Sequence, residues 1–212
     1  MTPDYDRIYA PWLTNPGKLL DLAGYKPGDI LLDLAGGTGA VSKEAIRRHS
    51  GGISMSNRTI HLIDPNPRCG YPTANVRLGL AENVENVFTE TRFDVIVCRQ
   101  AVGYINMVKA IPGINQVLKT GGKFVFNSFT DPKPYGIKTT IQDDVRFFES
   151  HIRWFKHIFH LQLRLNHGWG VDFSFFKYWK FKELYSLLTP WFKVDVHQKG
   201  KSLHWVCTKE DK

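Results

Sequence analysis

The residues best placed to do chemistry stand in one short glycine-rich run, Asp33-Leu34-Ala35-Gly36-Gly37-Thr38-Gly39. A glycine turn between a strand and a helix brings backbone N–H groups close to a ligand, because no side chain blocks the approach. It also permits φ values that other residues adopt only at a cost. Asp64 follows about one βαβ unit later, at the end of the next apolar run. A carboxylate at that point can accept hydrogen bonds from two adjacent ribose hydroxyls. Together these features predict a nucleoside-containing ligand at the carboxyl edge of a parallel sheet. Two structural alternatives stay open at this level: the turn could serve packing alone, and Asp64 could cap a helix.

Elements must position these residues, and the first two thirds of the chain supply them. Short apolar runs alternate with turn signals and amphipathic stretches, the pattern of a parallel α/β sheet. Ile30–Leu34, Thr59–Ile63, Asn75–Gly79, Phe93–Cys98 and Lys123–Phe126 read as five strands. A helix is expected from Ala40 to His49. Another is expected over Met107–Lys119, where Val108, Ile111, Ile114 and Leu118 share one face. Pro112 must then sit at a kink or in the first turn, and Gly121-Gly122 stops the helix. Near the C-terminus a helix at Phe181–Leu188 ends at Pro190, and strands Phe192–His197 and Ser202–Thr208 form an antiparallel hairpin turning at Gly200.

The segment from Ser128 to about Lys180 differs in character. It holds three of the six Trp and eight of the 14 Phe. Val145, Phe148, Ile152, Phe155 and Phe159 repeat at helical spacing. Leu161, Leu163 and Leu165, then Val171, Phe173 and Phe175, alternate as on two strands around the turn Asn166–Gly170. This reads as a helix and a β-hairpin inserted after the fifth strand. Its aromatic side chains can form a substrate wall, a core or a dimer interface. His167 can be a base or a surface turn histidine. Tyr5, Tyr9 and Trp12 can form a lid over a ligand or fasten the N-terminus.

Composition narrows the class. The chain has 212 residues, enough for one α/β domain with a modest insertion. Residues 1–18 carry no apolar run of the secretory type, and no stretch is long enough to span a bilayer. Cys69, Cys98 and Cys207 form no CxxC pair, so neither a disulfide framework nor a zinc site is expected, and a cytoplasmic compartment is the default. The net charge of +8 allows nucleic acid, anionic surfaces or acidic small molecules as partners. The positive residues are scattered, with mild clusters at Lys177–Lys182 and Lys199–Lys201.

Three further features sharpen the ligand. The glycine turn reads Asp-x-x-x-Gly-x-Gly, with Ser42 where a dinucleotide fingerprint has its third glycine. The third strand is followed by Ala81-Glu82-Asn83, and the chain closes in a β-hairpin after five parallel strands. In this order and spacing the chain resembles the class I S-adenosylmethionine-dependent methyltransferases of the small-molecule type. The resemblance is close over Ile30–Phe126 and topological in the C-terminal hairpin. It implies a Rossmann-like seven-stranded sheet in the order 3-2-1-4-5-7-6 with only the last strand antiparallel, one domain over residues 1–212, and a cap-like insertion at 128–180.

The same resemblance implies S-adenosyl-L-methionine as cofactor and assigns roles residue by residue. Gly37 and Gly39, with Ala35 and Thr38 between and before them, lie against the methionine part. Asp33 supports the turn. Asp64, followed by Pro65, binds the ribose. Ala81 and Glu82 pass under the adenine, and Arg99 and Gln100 lie at the end of the fourth strand, facing the methionine amino group. Tyr104 falls near the transferred methyl group. Two departures stand out. Ala35 replaces the usual first glycine, a small-for-small exchange the turn should tolerate. Leu80 replaces the aspartate that often accepts the adenine amino group, with Glu82 or Asn83 as substitutes.

The acceptor is expected to be a small, partly apolar molecule held by the insertion, with Trp154, His167, Trp169, Phe173 and Phe176 as wall residues. Arg99-Gln100-Ala101-Val102-Gly103-Tyr104 lacks the Asn/Asp-Pro-Pro-aromatic motif of base amino methylation, and no Cys follows a Pro. A nucleic-acid acceptor is therefore open but less favoured, and so are a protein acceptor and a fold relative that uses S-adenosylmethionine for a reaction other than methylation. No membrane partner is expected, and the chain is expected to act as a monomer or homodimer. Tyr104 and His167 are the catalytic candidates, and no metal site is expected.

Overall fold

The computed structural model describes residues 14–49, 59–65, 67, 75–129, 179–199 and 202–211. Tyr5, Tyr9, Trp12, Cys69, Gly200 and the insertion residues 130–178, His167 and its proposed wall partners included, lie outside these residues.

The described chain opens with α1, Pro16–Ala23. Its limits are set locally: the Asn15 side chain accepts the Gly17 N–H at 2.8 Å, Pro16 takes the first turn, and Gly24 ends the helix at φ 68°. Then come β1 (Leu31–Leu34), α2 (Ala40–Arg48), β2 (Ile60–Asp64) and β3 (Asn75–Leu78). A 3-10 turn at Ala81–Asn83 runs into α3 (Val84–Val87). The rest is β4 (Phe93–Cys98), a 3-10 turn at Val102–Tyr104, α4 (Met107–Val117), β5 (Leu118–Phe129), α5 (Phe181–Leu188), β6 (Lys193–Lys199) and β7 (Ser202–Thr208). Among these elements no helix is long and apolar enough to cross a membrane.

The seven strands form one sheet in the order β3-β2-β1-β4-β5-β7-β6. The first five pair in parallel, and β7 is antiparallel to both β5 and β6. This is the expected topology. The central strands are continuous apolar runs because both faces are covered. Leu32, Leu34, Ile96, Phe124 and Phe126 pack on one side with Val84, Ile114 and Leu184. Leu31, Val95, Val97 and Val125 pack on the other with Leu19, Leu20, Val41 and Ala45. The strand order reverses between β1 and β4, which opens a crevice at their carboxyl ends.

One expectation needs correction. Gly121-Gly122 does not stop α4. Leu118 is already extended directly after Val117, and the glycines lie inside β5. There the β4–β5 register slips from Phe93↔Leu118 to Val95↔Lys123. Gly121 takes φ 74°, and a Cβ on Gly122 would lie 2.8 Å from the Lys119 carbonyl, so the pair makes a bulge and the strand begins five residues earlier than expected. Of the two places expected for Pro112, a kink or the first turn, the first turn is excluded. It is an interior residue of α4 and offers no N–H to the Val108 carbonyl.

Candidate functional site

The site begins at β1. Asp33 lies on the sheet face that carries Leu31 and points toward α2. It is buried, and its Oδ2 accepts both the backbone N–H of Ser42 at 3.0 Å and the Ser42 hydroxyl at 2.8 Å. Ser42 is the third residue of α2, whose own cap residue, Gly39, has no side chain to offer. Asp33 thus supplies the missing cap from the neighbouring strand. Burial pushes its carboxyl up to about 6, while the two Ser42 hydrogen bonds and the charge of Arg99 pull it down. At neutral pH it is a carboxylate that pins the glycine turn to the helix.

The turn itself is left-handed at three of five positions: Ala35 at φ 54°, Gly37 at 51° and Gly39 at 72°. Gly36 is there for packing. Its N–H donates to the Ile63 carbonyl, and a Cβ on it would lie 2.6 Å from Leu62 Cδ1 and 2.8 Å from Asp33 Cγ. Gly37 is the opposite case. A Cβ there would meet nothing within 4 Å, and its N–H donates to Asp64 Oδ2 at 3.0 Å. Asp64 therefore joins the end of β2 to the turn after β1. The exchange at position 35 is more than small-for-small, since an alanine in the left-handed region costs about 1–2 kcal/mol that glycine avoids.

Across the crevice, the turn after β4 mirrors this arrangement. Gln100 takes φ 59°, and it and Ala35 are the two non-glycine residues with positive φ among the described residues. The Gln100 N–H donates to Asn127 Oδ1 at 2.9 Å, and Asn127, on β5, is buried. Arg99 Nε donates to the Thr14 carbonyl at 2.7 Å, which draws the residues before α1 to the same edge. Cys98 at the end of β4 is buried, which pushes its thiol up to about 12 and leaves it inert as a nucleophile. Tyr104 closes the following 3-10 turn and is 40% exposed. Trp179 Nε1 donates to the Val102 carbonyl of that turn at 3.1 Å.

The remaining predicted residues fall around β2 and β3. Pro65 is exposed just beyond Asp64, and Thr38 is half-buried within the turn. Ala81 is buried, and Leu80 is 49% exposed. Glu82 Oε1 accepts the Asn106 N–H at 2.7 Å, so this carboxylate ties the turn after β3 to the start of α4. Asp33, Gly37, Asp64 and Arg99 are brought together around the switch point, while His167 lies outside the described residues. Sequence reading missed Asn127, Ser42 and the Trp179 bond. Asn127 had one signal: it is the polar residue in the run Phe124-Val125-Phe126-Asn127, on the same inward face as Val125.

These residues fit a nucleoside ligand. Gly37 leaves open the space a side chain would fill, and Asp64 stands at the strand end beside it. Among the described residues no group of His, Cys, Asp and Glu is arranged to hold a metal ion. A separate cleft of about 400 Å³, lined by Asn115, Thr120, Trp191 and Lys209, lies at the opposite, amino edge of the sheet, away from these residues.

Comparisons with known proteins agree. No curated protein matches the chain. Several solved structures share its fold. The YcgJ protein of Bacillus subtilis is 17% identical, with a TM-score of 0.58 over 87% of this chain and 70% of its own. A TehB-like S-adenosylmethionine-dependent methyltransferase of Corynebacterium glutamicum is 16% identical, with a TM-score of 0.56 over 96% and 94%. An S-adenosylmethionine-dependent methyltransferase of Thermotoga maritima is 14% identical, with a TM-score of 0.57 over 97% and 96%. Residues 25–184 match the family described as Methyltransferase domain. The chain belongs to that family, a methyltransferase domain with the fold of these solved structures.

Proposed function

We propose that the chain moves a methyl group from S-adenosylmethionine to an oxygen, nitrogen or carbon nucleophile of a small, partly apolar molecule, with the donor in the crevice between β1 and β4. The observation that supports this most is the pair of strained turns. Ala35 and Gln100 hold left-handed backbones just beyond the two strands that flank the switch point. Strain of this kind persists where surrounding structure enforces it, and it gathers at ligand sites.

In this reading each residue has a task. Asp33 fixes the turn through Ser42. Ala35, Gly37, Thr38 and Gly39 let the backbone approach the donor, and Asp64, with Pro65 beside it, accepts the ribose hydroxyls. Ala81 and Glu82 border the base, and Arg99 and Gln100 border the amino-acid end. When bound, S-adenosylmethionine supplies a methyl group already activated on a sulfonium. The protein then has mainly to hold the acceptor in line with it. Tyr104 is the positioning candidate near that methyl group. His167 is the candidate base, needed only where the acceptor is a weakly acidic hydroxyl.

The insertion is the proposed acceptor side, a cap over the carboxyl edge of a single domain. Support comes from its two flanks. Phe129 ends β5 at that edge, and Trp179 is bonded to the turn after β4. Its Trp and Phe content favours a flat or apolar molecule, although the net charge of +8 would also suit RNA. Methyl-labelled donor offered separately to small-molecule, RNA and protein fractions of a cell extract decides among them. Label is expected in the small-molecule fraction. Label confined to RNA or protein would replace the proposed acceptor.

A further inference from the structure

Asn127 has one end of its carboxamide engaged and the other idle. Its oxygen holds the Gln100 N–H, while its Nδ2 is buried with no hydrogen-bond partner. A buried amide donor left unpaired costs about 1–3 kcal/mol. Val125 and Val206 on this face are apolar and offer it no acceptor, and its cross-strand neighbour is the buried His204, whose Nδ1 faces Lys18. An orphan donor at the carboxyl end of β5, next to a strained turn, calls for a ligand acceptor.

The strand order says which end of the ligand reaches it. Asp64 closes β2, and β1, β4 and β5 follow in the sheet. Neighbouring strands lie about 4.8 Å apart, so roughly 14 Å separates the strand of Asp64 from that of Asn127. A donor with its ribose at Asp64 and lying across the switch point sends its amino-acid end toward β4 and β5. The charge there suits an anion. Arg99 stands at the end of β4, near enough to act on Asp33. Asn127 pairs in register with His204 on β7, whose Nδ1 lies 3.2 Å from Lys18 Nζ.

We infer that the Asn127 amide nitrogen donates to the carboxylate of the methyl donor's amino-acid end, while its oxygen sets the Gln100 turn. This rests on the assignment of the β1–β4 crevice to the donor. Asn127→Ala alone would also release the turn, so it is made on a Gln100→Gly background, where glycine keeps the left-handed backbone unaided. Two nucleosides are titrated calorimetrically against both proteins: S-adenosylhomocysteine, which carries the carboxylate, and methylthioadenosine, which lacks the whole amino-acid end. Thermal melts check that both variants fold.

Adding Asn127→Ala is expected to weaken S-adenosylhomocysteine on the order of 10- to 100-fold and to leave methylthioadenosine unchanged within about twofold. Equal weakening of both nucleosides would make Asn127 a support of the crevice and not a carboxylate donor, and would overturn the inference. No weakening of either would overturn it as well. A wild-type chain that binds neither nucleoside would instead remove the crevice assignment, and this inference with it.

Discussion

Gly37→Val is expected to weaken S-adenosylhomocysteine binding by more than about 100-fold, equivalent to about 2.7 kcal/mol, in a chain that still folds. Two causes act together. Gly37 sits at φ 51°, a conformation a β-branched residue enters only with strain. Its missing Cβ would point into space where no atom of the chain lies within 4 Å. The valine side chain therefore meets little of the protein and stands in the room left for the ligand. Gly36 makes the contrast, since there a Cβ would press on Leu62 and Asp33 and the damage would fall on the fold. Titration calorimetry with circular dichroism measures both quantities. A folded Gly37→Val protein with unchanged affinity would show that the turn does not face the ligand.

Asp64→Ala is expected to weaken the same ligand by about 1–3 kcal/mol, or about 5- to 150-fold. The carboxylate is assigned two jobs: it accepts the Gly37 N–H at 3.0 Å, and it accepts ribose hydroxyls. Asp64→Asn keeps an acceptor oxygen for Gly37 but loses the charge, so its loss should fall between those of wild type and Asp64→Ala. Equal losses for Asn and Ala would assign the whole effect to charge. No loss in either would remove Asp64 from the ribose site.

The contrast between Gly36 and Gly37 also shows what a sequence can disclose. The run Gly36-Gly37-Thr38-Gly39 announces a tight turn but not which glycine serves packing and which faces the ligand. That depends on Leu62, a residue of another strand brought close only by the fold. The sheet was legible because its central strands are continuous apolar runs bounded by turn signals, and because Phe181–Leu188 and Ser202–Thr208 carry clear helical and strand patterns. The start of β5 was not legible. Gly121-Gly122 reads as a helix stop in any local window, and only its pairing with Phe93 and Val95 across β4 makes it a bulge.

Site residues divide in the same way. Asp33 and Asp64 could be found because they end apolar runs at a fixed spacing. The partner of Asp33, Ser42, was visible only as the absence of a third glycine, yet it gives the buried carboxylate both of its hydrogen bonds. Glu82 was expected to compensate for Leu80 at the adenine, whereas one of its oxygens is committed to Asn106, a contact 24 residues distant in sequence. Asn127 and Gln100 are 27 residues apart, and their bond carries no sequence period at all.

Competitive titration of the wild-type chain tests the central claim most directly. S-adenosylmethionine and S-adenosylhomocysteine should each bind at one site per chain, and excess NAD should not displace them. The turn reads Asp-x-x-x-Gly-x-Gly, and Ser42, bonded to Asp33, stands where a dinucleotide fingerprint has its third glycine. Tight binding of NAD, with weak or no binding of either sulfur nucleoside, would contradict the account.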